Sequence, residues 1–274
     1  MPKLSVTIIT KNEAGNIAAA IGSVAWANDV LVVDCGSTDA TVEIARARGA
    51  RVLHRAWQGF AEQKNYAAGQ AAYDWILSLD ADERVTPALA DEIRALMAAD
   101  PPPHPGYRIP RVSWYLGRWI RTTDWYPDRQ LRLYDRRRGS WQNRRVHESV
   151  TVQGAAGRLT HEIQHRPYRD LAHHLTTMNR YTTLAAEEMY EQGQRSGLGS
   201  ILFLPVAAFI RNYLLRRGFM QGTRGLIISH LNSYYVLLKF LKLWELQTTG
   251  TAADPGAPDP HVRTPEPGAR EAAG

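Results

Sequence analysis

The chain has 274 residues, of which 44% are hydrophobic and 22% are charged, a composition that excludes a disordered or collagen-like protein. Its 33 Lys and Arg against 27 Asp and Glu give a formal net charge of +6. The one cysteine, Cys35, excludes a disulfide framework and argues for a reducing compartment. The N-terminus runs straight into an apolar strand and lacks a signal-peptide pattern, so we expect it to be mature from its first residue.

The first hundred residues alternate between strand and helix patterns. Apolar β-branched runs predict strands at 4–10, 30–33, 51–54 and 75–79, and helical spacing predicts helices at 14–24, 38–48, 58–72 and 86–98. Such alternation is typical of a mostly parallel sheet with helices on both faces. The predicted class is therefore α/β, with ligands bound beyond the carboxyl ends of the strands.

The remainder of the chain divides into three parts. We expect 104–168 to form strands and loops packed on the sheet edge, which gives a first domain of 1–168. A helical pattern then continues through 169–247, and the Pro- and Gly-rich segment 248–274 is predicted to be a disordered tail.

Two stretches of the helical part carry no charge, 196–210 and 225–238. Both are shorter than the roughly 20 residues that span a bilayer, and Arg, Lys and aromatic residues flank them. This pattern predicts helices that lie in the interface of an anionic membrane. The alternative is a pair of core or dimer-interface helices.

The strongest chemical signal is the pair of carboxylates Asp80 and Asp82 at the end of a buried strand. Two such side chains can both turn toward a site, and their oxygen ligands suit Mg²⁺ or Mn²⁺, which in turn binds a diphosphate. The alternative is a surface turn with two solvated acids.

A second polar cluster, 34–39, follows the second strand and opens a helix. Its glycine and small hydroxyls leave backbone N–H groups free, and Asp34 can accept from a base edge or ribose. A simple helix cap fits the same residues. The chain contains neither G-x-G-x-x-G nor a P-loop motif, which argues against a dinucleotide-binding enzyme or a P-loop NTPase.

Together these motifs resemble a known family. The segments 10–13, 33–39, 63–65 and 79–83 look like those of family-two nucleotide-sugar glycosyltransferases of GT-A fold. Three later segments, 129–134, 146–148 and 234–246, look like the bacterial subgroup that adds glucose to the lipopolysaccharide inner core. The resemblance covers about residues 4–247 and implies a GT-A fold with a C-terminal helical membrane-associated segment.

The resemblance implies roles for individual residues. It assigns nucleotide binding to residues at the ends of the first two strands, namely Thr10, Asn12, Glu13, Asp34, Gly36 and Ser37. Lys64 would lie near the nucleotide or its phosphates, Asp80 would approach the ribose, and Arg132 would bind the diphosphate or the acceptor. Asp82 would ligate the metal, with Asp80 and His147 as alternative ligands.

Glu148 would be the general base, because an acceptor hydroxyl needs a carboxylate to take its proton. The acidic alternatives are Asp124 and Asp128. The non-catalytic alternative is that Glu148 is an ordinary strand carboxylate that pairs with Arg144 or Arg145.

The implied activity is inverting transfer of glucose from UDP-glucose to a heptose of the lipopolysaccharide core, at the cytoplasmic face of the bacterial inner membrane. One alternative is transfer to a polyprenyl phosphate. Another is a non-catalytic membrane- or nucleic-acid-binding protein on the same fold, but we expect no nucleic-acid partner because no recognised module is present.

Positive charge is concentrated in one segment of the chain. Residues 101–150 hold eleven Arg, no Lys and four acids, a formal +7. This segment predicts a wall that faces phosphates, since Arg binds them in bidentate fashion; the alternative is a solvated basic face.

One motif points to a different chemistry. Residues 161–165 match the H-E-x-x-H pattern of zinc proteases. That chemistry needs a helix, whereas nearby Gly154, Gly157 and Pro167 predict a strand or short turn. We therefore do not expect a zinc protease, although His165 alone can line the transferase site.

Overall fold

The computed structural model describes residues 2–99, 102–142 and 149–250. The first part alternates strands and helices as the sequence predicts. Its strands are β1 Leu4–Thr10, β2 Asp29–Asp34, β3 Arg51–His54, β4 Trp75–Asp80 and β5 Glu83–Val85. Its helices are α1 Ile17–Gly22, α2 Thr41–Ala47, α3 Phe60–Gln70 and α4 Pro87–Ala98.

Helix α2 begins three residues later than the predicted 38. The Thr38 N–H donates to Asn12 Oδ1, and Asp39 accepts from the Ala14 N–H. Thr38 is therefore held by the loop after β1, whereas Asp39 bonds both that loop and Thr41 at the start of the helix. Helix α4 begins as predicted, because Thr86 Oγ1 accepts from the Leu89 N–H and Pro87 occupies the first turn.

The middle of the chain consists mainly of strands. They are β6 Gly106–Tyr115, β7 Arg118–Ile120, β8 Asp128–Asp135, β9 Gly139–Gln142, β10 Ser149–Val152, β11 Gly157–Arg158 and β12 Ile163–His165. A 3₁₀ turn, Thr123–Trp125, precedes β8.

In the described chain, ten strands form one sheet with the order β3-β2-β1-β4-β8-β6-β12-β5, and β7 and β11 pair with β6. Strands β1 to β4 are parallel, whereas β8 is antiparallel to both β4 and β6. The predicted α/β class is confirmed. The expectation of strands and loops in 104–168 is confirmed, and β8, β6 and β12 extend the sheet from β4 by direct pairing.

The core lies against both faces of the parallel strands. All seven residues of β1 are buried, and Val6, Ile8, Val32 and Leu77 are fully buried within the largest apolar cluster. Burying both faces stabilises the sheet by about 1.5–3 kcal/mol for each large apolar side chain. It also fixes the positions where the strands end, and the polar loops begin at those positions.

The chain from 171 to 249 is helical. It forms α5 Leu171–Glu191, α6 Leu198–Ile210, a π-helical turn Arg211–Leu215, a 3₁₀ turn Gly218–Gln221 and α7 Thr223–Thr249. Helix α7 packs against both α5 and α6. The predicted disordered tail lies outside the described residues from 251 onward.

Helix α6 exposes most of its apolar side chains. Leu198 is 78% exposed and Phe203 is 71% exposed. Within the described residues one helical stretch, Leu198–Leu215, is long and apolar enough to cross a membrane by length and composition, and 17% of it is buried. Its continuation through the π-helical turn makes it longer than the uncharged stretch seen in the sequence.

Candidate functional site

Three loops meet at the carboxyl edge of the parallel strands. Thr10 at the end of β1 pairs in register with Asp34 at the end of β2, and Ile9 pairs with Asp80 at the end of β4. The structure therefore brings together the predicted residues at these three strand ends. Thr10 is buried, and its Oγ1 has no hydrogen-bond partner among the described residues.

Asp34 organises the turn that follows β2. Its carboxylate accepts from the N–H groups of Gly36 and Ser37 and from Ser37 Oγ. Gly36 has φ +91°, a conformation that favours glycine. Burial raises the pKa of Asp34, but the hydrogen bonds from Ser37 and Gly36 outweigh it and lower that pKa overall.

The loop after β1 is fastened to this turn. The Asn12 N–H donates to Ser37 Oγ, and the Glu13 N–H donates to Thr41 Oγ1. Burial raises the pKa of the Glu13 carboxyl, and the nearby Asp82 and Asp39 carboxylates raise it further. Glu13 and Asp82 therefore belong to one electrostatic site although 69 positions separate them.

Asp80 is held by two cations. Lys64 Nζ lies 2.9 Å from Asp80 Oδ1, and Arg132 Nη2 lies 2.7 Å from Oδ2. Burial raises the pKa of Asp80, but Arg132 and Lys64 together hold that pKa well below its usual range. Lys64 Nζ also lies 4.3 Å from the centroid of the Trp141 ring, a cation–π contact that keeps the ammonium in place.

Glu83 is hydrogen-bonded to Asp80 and to Arg132. It is fully buried and accepts from the Asp80 N–H, from Arg132 and from Arg111. Glu83 is not among the predicted site residues, and its position directly after Asp82 is the one signal in the sequence that points to it. Arg132 Nε and Nη1 are buried and have no partner among the described residues, so this guanidinium keeps donors for a further anion.

Asp82 faces a histidine. His165 Nε2 at the end of β12 lies 3.3 Å from Asp82 Oδ2. An imidazole nitrogen and a carboxylate oxygen are both ligands that Mn²⁺ accepts. Among the described residues no group of three or more His, Cys, Asp or Glu side chains could hold a metal. A divalent ion held by this pair would need its other ligands from phosphates and water.

The H-E-x-x-H motif forms no zinc site. His165 lies in strand β12, whereas His161 precedes that strand and bonds Glu92. Glu162 pairs with Arg121. The motif's residues therefore have separate partners, as the strand prediction implies.

Two predicted site residues, His147 and Glu148, lie outside the described residues, as do Arg144 and Arg145. The two acidic alternatives to Glu148 are described. Asp128 pairs with Arg111, and Asp124 pairs with Arg211 of the π-helical turn.

Five of the nine described arginines in 101–150 pair with acids within the chain. Arg136 and Arg137 pair with Asp74, Arg137 also pairs with Asp135, and Arg121 pairs with Glu162. The phosphate-facing wall expected for the whole segment stays a prediction. Of the described arginines discussed above, only Arg111 and Arg132 belong to the network beside Asp80.

Comparisons with known proteins agree with this geometry. The profile described as Glycosyl transferase family 2 matches residues 5–158. An uncharacterized glycosyltransferase of Rickettsia typhi is 31% identical over 257 residues, covering 90% of this chain and 88% of that protein. The lipopolysaccharide core biosynthesis glycosyltransferase LpsC of Rhizobium meliloti is 28% identical, covering 89% of this chain and 94% of that protein.

Solved structures are similar at a lower level. The S. aureus TarS 1-349 structure has a TM-score of 0.46 and 15% identity, covering 91% of this chain and 92% of that one. Glucosyl-3-phosphoglycerate synthase of Mycobacterium tuberculosis, in complex with Mn²⁺ and UDP, has a TM-score of 0.33 and 24% identity, covering 42% of this chain and 45% of that one.

The family profile spans more than half of the chain, and the Rickettsia relative is similar over nearly its whole length. The strand-end residues of the site lie within the matched segment. The chain belongs to glycosyl transferase family 2 and is a glycosyltransferase.

Proposed function

We propose that this glycosyltransferase moves glucose from UDP-glucose to a heptose of the lipopolysaccharide core with inversion at the anomeric carbon. The observation that carries the proposal is the placement of Asp34 and Asp80 at the carboxyl ends of β2 and β4, on either side of β1, with Asp82 two positions beyond Asp80. Lys64 and Arg132 both bond Asp80. The LpsC relative supports the acceptor class.

The residues present fit the expected roles on the donor side. Asp34 and Thr10 lie where a nucleoside would meet the first two strands, with Asn12, Glu13, Gly36 and Ser37 in the connecting loops. Arg132 retains buried donors beside Asp80, and these can bind a diphosphate oxygen. Fixed donors of this kind lower the barrier without reorganising during the reaction.

Asp82 and His165 would hold the Mg²⁺ or Mn²⁺. A bound divalent ion would offset the charge that develops on the leaving diphosphate. We assign the general base to Glu148, which takes the proton of the acceptor hydroxyl as that hydroxyl attacks the anomeric carbon and UDP leaves.

We place the protein at the cytoplasmic face of the inner membrane as a peripheral protein. The exposed apolar side chains of α6 support this location, and so do Arg195 and Arg217 near the two ends of the apolar stretch. Arg211 and Arg216 pair with Asp124. A helix with this composition binds an anionic lipid surface through apolar burial and charge together. We retain 1–168 as the catalytic unit and 169–247 as the docking unit.

The proposal is tested by a transfer assay with the full chain, Mn²⁺, UDP-glucose and lipopolysaccharide core. We expect Asp82→Asn to weaken Mn²⁺-dependent UDP binding at least tenfold, because it removes an anionic ligand. The matched control is Asp91→Asn, since Asp91 is exposed on α4 and pairs only with Arg94 in the described structure. Unchanged metal-dependent binding in Asp82→Asn would show that the ion is held elsewhere.

The same assay separates the alternatives. Glu148→Gln should keep UDP binding and lose transfer. Transfer to polyprenyl phosphate in place of the lipopolysaccharide core would overturn the acceptor class. An absence of transfer and of donor hydrolysis with any UDP-sugar would overturn catalysis by this site.

A further inference from the structure

A cavity of about 190 Å³ lies next to the Asp82–His165 pair. Its lining includes Arg111 and Ser113 of β6, Asp124 and Trp125 of the 3₁₀ turn, His165 and Tyr168. His165 therefore lies between the cavity and Asp82. The volume is below the roughly 300–1,000 Å³ of pockets for drug-sized ligands, so it suits a single ring.

The walls combine two aromatic rings with carboxylates. The rings of Trp125 and Tyr168 are 6.0 Å apart, and Tyr168 is stacked on buried His174 at 4.0 Å. Aromatic faces pack on the apolar face of a ring, and carboxylates accept hydrogen bonds from its hydroxyls. The Asp124 and Asp128 side chains line the cavity and are 28% and 29% exposed. Asp124 pairs with Arg211 and Asp128 with Arg111, and each carboxylate has further lone pairs that can accept from a hydroxyl.

The charges of the lining favour a hydroxyl-rich ring over a phosphate. Arg111 is the only Lys or Arg among the described lining residues. Its guanidinium already bonds Glu83 and Asp128. An incoming phosphate would face two carboxylates without an unengaged guanidinium in the lining, which is unfavourable.

The cavity lies on the acceptor side of the proposed reaction. Along the sheet edge the strand order runs from β2, which ends at Asp34, through β4, which ends at Asp80, to β8, β6 and β12 around the cavity. A donor that extends from Asp34 to Asp82 leaves the cavity on the far side of its sugar. A second ring placed there would present a hydroxyl to the reacting carbon.

We propose that this cavity is the acceptor subsite, in which one sugar ring stacks on Trp125 and Tyr168 while Asp124 and Asp128 accept from its hydroxyls. The inference rests on the proposed function. It adds the residues that recognise the acceptor and favours an uncharged sugar ring over a phosphate at this position.

The test uses the full chain with UDP and Mn²⁺ and deacylated lipopolysaccharide core oligosaccharide as the probe, with binding measured by saturation-transfer NMR. We expect Tyr168→Ala to weaken oligosaccharide binding at least tenfold while UDP binding is unchanged. The matched control is Tyr73→Ala, because Tyr73 lies before β4 at the opposite edge of the sheet.

A second variant tests the cavity without removing an aromatic ring, in case Tyr168→Ala disturbs the fold of the aromatic cluster. Ser113→Leu fills the cavity, keeps both rings and should give the same loss. Oligosaccharide binding that survives both substitutions would overturn the proposal. A wild-type protein that binds UDP but not the oligosaccharide would also overturn it, whereas failure to bind either would count against the proposed function itself.

Discussion

Asp80 and Asp82 stand two positions apart yet have different surroundings. Asp80 lies between Lys64 and Arg132, whereas the ion-pair partner of Asp82 in the described structure is His165. A carboxylate bonded to two cations is fixed in position, and one beside an imidazole can accept a divalent ion. The difference arises from the strands that supply the partners and leads us to assign the metal to Asp82.

The sequence could place these carboxylates because buried strands end where polar residues begin. It could not show the partners of Asp80, since Arg132 comes from a strand 52 positions later. His165 was noticed in the sequence through the H-E-x-x-H motif, but its contact with Asp82 depends on β12 pairing alongside β6. No local pattern contains that information.

At the same scale, we expect His174 to make stability depend on pH. Burial lowers the pKa of His174 to about 4 from its ordinary 6.5, so the unfolded chain binds the proton first as pH falls. Stability is therefore unaffected above pH 6.5 and falls between 6.5 and 4, by about 3 kcal/mol over that window. Urea unfolding of wild type and His174→Gln should show this slope in the wild type alone.

The matched control for this measurement is His230→Gln, an exposed histidine on α7. Equal slopes in the wild type and His174→Gln would show that the buried histidine is not the source of the pH dependence. Tyr115 Oη lies 2.8 Å from His174 Nδ1, and glutamine can preserve a hydrogen bond to that hydroxyl.

Among the elements, the π-helical turn Arg211–Leu215 joins the helical part to the sheet. Asn212 is fully buried; its Oδ1 accepts from the Asp124 N–H and from Asn232, and its Nδ2 donates to Asp124 and Ala208. The Thr123 N–H donates to the Arg216 carbonyl. One wall of the cavity is thus fastened to the end of α6.

We expect Asn212→Ala to loosen this wall, because it leaves the Asp124 N–H without its acceptor at a cost of about 1–3 kcal/mol. Hydrogen exchange of the Asp124 amide should become faster. Asn179→Ala on α5 is the matched control and should leave that amide unchanged. Equal exchange in wild type and Asn212→Ala would show that the turn is held by other contacts.

Element boundaries were predictable where apolar runs set them and not where loops bond one another. The prediction for β3 matches the observed range, whereas α2 begins late because Thr38 and Asp39 bond the loop after β1. The pairing of β8 between β4 and β6 was also missed. Strand order is decided by contacts between distant segments, which local patterns do not record.

In the whole molecule, arginines are concentrated in the middle segment, whereas the exposed apolar surface of α6 comes later in the chain. Many arginines of the middle segment are paired with acids, and so are Arg211 and Arg216 at the end of α6. Helix α6 exposes apolar side chains, namely Leu198, Leu202, Phe203 and Val206. The net charge alone could not reveal this, because paired and unpaired arginines contribute to it equally.

We expect the protein to float with vesicles of phosphatidylcholine and phosphatidylglycerol, more weakly at high salt. Leu202→Glu with Phe203→Glu should reduce the bound fraction at least tenfold, because each buried apolar side chain contributes about 1.5–3 kcal/mol. Leu175→Glu on α5 is the matched control. Wild-type protein that fails to float at low salt would contradict the docking role of α6.

The Asn212 contacts have a geometric consequence for a protein docked in this way. A helix resting on a bilayer sets the tilt of whatever is rigidly attached to it. Through Asn212 and Asp124, the cavity would stand at a constant height above the lipid headgroups. The enzyme would then select its acceptor sugar partly by the distance of that sugar from the lipid. A chemically identical ring nearer to or farther from the lipid would go unmodified.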